Sequence, residues 1–78
     1  MIRVELVDAR KIRELKADLL QAGCTMEPGK GLHTGWRHPL VPGKLTLSGK
    51  DGADAQDYQE AQARAFLAKI RAAGAAQA

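Results

Sequence analysis

The spacing of apolar residues changes three times along the chain, and each change marks an element. Ile2, Val4 and Leu6 alternate with Arg3, Glu5 and Val7, which predicts a short strand, and Asp8 then suits a helix N-cap. From Ala9 to Ala22, Ile12, Leu15 and Leu19 recur at helical spacing, while Arg10, Arg13, Glu14 and Lys16 fall largely on the wet side. Gly23 stands where a helix end favours left-handed backbone. Beyond it the period is two over Cys24–Glu27, Leu32–His38 and Lys44–Ser48. The separators, Pro28-Gly29-Lys30-Gly31 and Pro39-Leu40-Val41-Pro42-Gly43, are turn chemistry. An antiparallel three-stranded meander is expected. Gly49-Lys50-Asp51-Gly52 ends it, and Asp57-Tyr58-Gln59-Glu60 has the spacing of a capping box, with Asp54 as the other candidate cap. The second helix then runs to about Ala73, with Ala63, Phe66, Leu67 and Ile70 as its apolar stripe and residues 74–78 as a frayed tail.

This pattern predicts an α+β domain over residues 1–73, ordered α-β-β-β-α. Both helices lie on one face of the sheet, because alternating strands offer only one apolar face. The N-terminal strand is an extra. If Leu32–His38 is a regular strand, Leu32, Thr34 and Trp36 point to the helices and His33, Gly35 and Arg37 point away. The next strand sends Leu45 and Leu47 inward and Lys44, Thr46 and Ser48 outward. His33, Arg37 and Lys44 then share an open basic surface.

Composition narrows the partners. A chain of 78 residues with a net charge of +3 and a pI near 9.4 leans toward a polyanion. A domain this small buries a limited fraction of its surface, so a stabilising partner is plausible. Trp36, Tyr58 and Phe66 are its aromatic residues, too few for a broad base-stacking platform. The single Cys24 forms no disulfide within the chain, and the N-terminus lacks a long apolar run, so a reducing cytoplasm and no membrane are expected.

Candidate chemistry concentrates in Gly29–Pro39, which holds both histidines, the tryptophan, Lys30 and Arg37. An imidazole with an unperturbed pKa of about 6.5 both takes and gives a proton near neutral pH. An odd separation puts His33 and His38 on opposite strand faces, and no further Cys or His completes a zinc site, so no metal or other cofactor is expected. His38, at a strand end before Pro39, suits a structural bond to turn backbone. His33 follows a Gly-Lys-Gly loop whose N–H groups can approach an oxyanion; spacing alone also allows an exposed strand histidine without a task. That loop is too short for a nucleotide-binding signature. Cys24 reads as a small core residue. Asp51, Asp54 and Asp57 read as turn and cap residues rather than a calcium loop.

The segment from Lys30-Gly31-Leu32-His33 through Arg37-His38-Pro39, then Gly43–Lys50 and Tyr58-Gln59-Glu60, resembles the HicA toxins, small ribonucleases of bacterial toxin–antitoxin systems. The likeness extends from about Arg10 to Ala72. It implies the helix, three strands, helix order of a double-stranded RNA-binding domain. The histidine of the family's Gly-Ser-His motif is catalytic and matches His33; Leu32 replaces the serine. Strand parity would point Leu32 to the core, as if the serine only shaped a turn. Gly35 also departs from the bulkier residue many relatives carry. The resemblance implies metal-independent cleavage of mRNA, with His33 acting on the ribose 2′-hydroxyl that DNA lacks. Lys30, Gly31, Arg37 and Lys44 would face the phosphates, and a HicB-like antitoxin would cover the His33 face. Two other readings fit the same scaffold: a noncatalytic RNA-binding module, and a protein-interaction domain using the Ile2–Leu6 strand.

Overall fold

The computed structural model describes residues 10–77, so the expected Ile2–Leu6 strand and the Asp8 cap lie outside the described residues. The elements are α1 (Ile12–Gln21), β1 (Thr25–Pro28), β2 (His33–His38), β3 (Val41–Ser48) and α2 (Asp57–Gln77). The three strands form one antiparallel sheet in the order β1-β2-β3. This is the predicted α+β fold with its α-β-β-β-α order.

The start of α1 differs from the helical pattern, which suggested Ala9. Lys11 is instead extended against the loop that precedes α2, bridged to Asp54, and before it the Arg10 carbonyl accepts from the Ala55 N–H at 2.7 Å. The first α1 amides also use this loop. Ile12 N–H donates to the Ala53 carbonyl (2.9 Å) and Arg13 N–H to that of Asp51 (3.0 Å). These are donors a helix cannot satisfy itself. Lys11 and Lys16 add ion pairs to Asp54 and Asp51 across the same junction, so these carboxylates bind lysines rather than cap a helix.

The cap of α2 is likewise shifted by one residue from Asp57. Gln56 N–H donates to Gln59 Oε1 at 2.8 Å, a capping-box bond with Gln59 as the third helical residue. Asp57 lies inside the first turn, where with Glu60 it complements the positive end of the helix dipole. Gln59 is only 3% exposed, and its Nε2 donates to the Ser48 carbonyl at 2.9 Å. It therefore fastens α2 to the end of β3. At its other end α2 continues through Gly74 to Gln77 instead of fraying after Ala73. Alanine before and after the glycine favours helix, and Gly74 packs toward Leu40.

Between sheet and helices, Trp36, Ile12, Leu19 and Leu47 are almost fully buried, joined by Leu15, Cys24, Leu45, Ala63, Phe66 and Ile70. The Trp36 indole N–H donates to Thr34 Oγ1 at 2.9 Å, so the largest core side chain leaves no polar atom unpaired. β3 begins at Val41, earlier than the expected Lys44, because only Pro39 and Leu40 turn. His38 pairs with Val41, and an irregularity between Trp36 and His38 absorbs the change of register. Pro42 is tolerated because β3 is at the edge of the sheet among the described residues.

Candidate functional site

His33 opens β2, paired with Ser48 of β3, and its side chain lies on the sheet face away from the helices. The turn before it holds the ring. The Gly29 N–H donates to the His33 carbonyl at 2.9 Å, and the His33 N–H donates to the Lys30 carbonyl at 3.1 Å. The same Lys30 carbonyl lies 3.0 Å from His33 Nδ1. A carbonyl only accepts, so Nδ1 carries the hydrogen and Nε2 keeps its lone pair in the neutral ring. Among the described residues nothing is hydrogen-bonded to Nε2. The arrangement is an exposed imidazole with one nitrogen fixed and the other available.

Lys30, Gly31, Leu32, His33, Ser48 and Gly49 line an open recess of about 540 Å³. Leu32 corrects the parity argument. It belongs to the turn rather than to β2 and, at 54% exposed, is not part of the core, although its carbonyl still accepts from the Gly49 N–H at 3.3 Å. The paired β2–β3 ladder runs from His33 onward.

His38 is organised differently. Its Nε2 donates to the Ala22 carbonyl at 3.0 Å, and its Nδ1 accepts from the Leu40 N–H at 3.1 Å. Both nitrogens are used to join the α1–β1 turn to the β2–β3 turn, in keeping with the expected structural role. Gly23, with φ of 96°, lets the backbone turn close to this ring; a Cβ there would lie 3.3 Å from Nε2. His38→Ala leaves a part-buried donor and acceptor unpaired, and about 1–3 kcal/mol of stability is expected to be lost. A urea titration measures it.

The cations divide into two groups. Arg37 is on the outer face but pairs with Glu27 of β1, Nε to Oε2 at 3.0 Å. Glu27 was missed as a site residue, although it shares that face, opposite Gly35. Lys30 and Lys44 have no ion-pair partner among the described residues. The stem of Lys44 crosses the space above Gly35, where a Cβ would meet its Cδ at 2.9 Å. Thus Lys30 and Gly31 share the recess with His33, whereas Arg37 and Lys44 stand further along the sheet.

Cys24 is buried in the core, and burial pushes its thiol up from the ordinary value, which disfavours the nucleophilic thiolate. No helix among the described residues is long and apolar enough to cross a membrane. No protein-family model, curated protein or solved structure matches the chain.

Proposed function

We propose that this chain is a HicA-like toxin ribonuclease that cleaves mRNA without a metal ion, acts in the cytoplasm and is neutralised by a HicB-like antitoxin seated on the His33 face. The observation that carries the reading is the exposed His33 ring, anchored through Nδ1 on the Lys30 carbonyl with Nε2 open. Its Nε2 takes the proton from a ribose 2′-hydroxyl. The 2′-oxygen then bonds to the adjacent phosphorus, the bond from phosphorus to the 5′-oxygen breaks, and that oxygen receives a proton from the imidazolium or water. A 2′,3′-cyclic phosphate and a 5′-hydroxyl result. Lys30, within the same recess, is placed to offset charge on the phosphate.

Incubating the protein with RNA in excess chelator is expected to give cyclic-phosphate ends and to spare a strand carrying a 2′-deoxy sugar at the cut position. Fragments ending in 3′-hydroxyl and 5′-phosphate would overturn the mechanism. The exposed Leu32, in place of the family's serine, favours a second reading, a noncatalytic RNA-binding module. That reading requires salt-sensitive binding with no cleavage at all.

Lys44 supplies a binding prediction under either RNA reading. Lys44→Ala is expected to reduce the slope of log affinity against log salt by about 0.7, the value for one phosphate contact on a single strand. Gly35→Ala displaces the flexible Lys44 stem without disturbing backbone, and the same direction of change is expected with the fold intact. Filter-binding titrations over a range of salt measure both.

A further inference from the structure

Leu32 presents a branched aliphatic side chain to solvent immediately before the open imidazole. It stands between two shallow recesses. The His33 recess lies on one side, and the other, of about 340 Å³, includes Thr34, Lys50 and the Lys16–Asp51 ion pair, whose carboxylate is already neutralised by Lys16. Both are lined by Gly31, Leu32 and Gly49. The glycines contribute no side chain, so Leu32 is the main apolar body shared by the two. Lys30 flanks the first recess and Lys50 the second, and neither is ion-paired among the described residues.

An apolar surface between two available cations fits a ligand with an exposed flat face and an anion on either side. An unpaired nucleobase in single-stranded nucleic acid has that form, whereas pairing and stacking in a duplex cover the base faces. We infer that Leu32 is the floor of a subsite for the base beside the scissile linkage, with Lys30 and Lys50 receiving the phosphates that flank it. The inference rests on the ribonuclease reading, since it is the ribose of the neighbouring nucleotide on which His33 acts. An aliphatic floor makes no hydrogen bonds to base edges. It discriminates a base from no base, and a larger base from a smaller one, but reads no sequence.

The test uses DNA strands containing one cleavable ribonucleotide, with the adjacent position either bearing a base or abasic. The protein is expected to cut the base-bearing strand up to about tenfold faster, the low end of the range for a base stacked on an aromatic side chain, since an aliphatic floor offers less contact. Leu32→Ala should cut both strands at the slower rate, and Leu32→Phe should restore the preference. Because Leu32 is exposed, the unfolding midpoint should be shared by all three proteins. An undiminished preference in Leu32→Ala overturns the subsite while leaving His33-dependent cleavage standing. Equal slowing on both strands also overturns it, as does a Leu32→Ala defect confined to capture by a partner protein. If no strand is cut in a His33-dependent manner, the ribonuclease reading itself fails and the subsite with it.

Discussion

His33→Ala is expected to slow single-turnover RNA cleavage by about 10²–10⁴-fold, the usual contribution of one positioned acid–base group. RNA binding and the unfolding midpoint should change little. The ring is exposed, and its side-chain bond goes to a turn carbonyl that also accepts the His33 backbone N–H. Removing the ring therefore leaves that carbonyl with a partner. His33→Asn separates chemistry from shape, because its amide can still bond the turn but offers no basic nitrogen. It should be as inactive as His33→Ala. Gel assays on a labelled RNA, with chelator throughout, measure both rates. His38→Ala, compared under conditions where it remains folded, should keep cleavage because both His38 nitrogens are committed to backbone groups.

Trp36→Ala is expected to cost about 3–5 kcal/mol, the range for removing a large buried aromatic side chain. Trp36 is 1% exposed and lies in the core with Ile12, Leu19 and Leu47. Small domains have total stabilities at the low end of about 5–15 kcal/mol, so the variant should retain no more than about 2 kcal/mol and a measurable part of it should be unfolded at room temperature. Trp36→Phe retains most of the apolar contact and releases Thr34 Oγ1 from the indole N–H, with an expected loss of about 1–2 kcal/mol. Urea unfolding followed by far-ultraviolet circular dichroism ranks the two. Near-equal midpoints for Trp36→Ala and the parent chain would contradict the packing described here.

The layout was legible wherever side-chain period alone decides position. Trp36, Leu45 and Leu47 lie inward, and His33, Arg37 and Lys44 belong to the outer face, because two-residue alternation holds inside paired strands. It failed at element ends, where backbone pairing decides. Leu32 sits one residue before the paired ladder, at the open end of the sheet, and is left exposed there. Arg10 and Lys11 carry helical spacing, yet the loop at residues 51–55 pairs with their backbone groups and keeps both out of α1. The α2 cap moved to Gln56 because the buried Gln59 reaches both back to it and across to Ser48, a tertiary contact no local motif records.

The candidate site shows the same division. His33 and Lys30 were recognisable from their positions around a glycine turn, and His38 from its place before Pro39. The pairing of Arg37 with Glu27 depends on β1–β2 register, which places Thr25 opposite Arg37 and Glu27 opposite Gly35. The small Gly35 leaves the space through which Lys44 extends. Neither could be read from one strand at a time.

Nitrogen-15 NMR of the His33 ring, recorded at a pH where the imidazole is neutral, tests the arrangement on which the proposed chemistry depends. The expected spectrum has the proton on Nδ1 and an unprotonated Nε2, since the Lys30 carbonyl can only accept. A neutral ring carrying its proton on Nε2 would contradict the account, because the nitrogen assigned to take the ribose proton would already hold one.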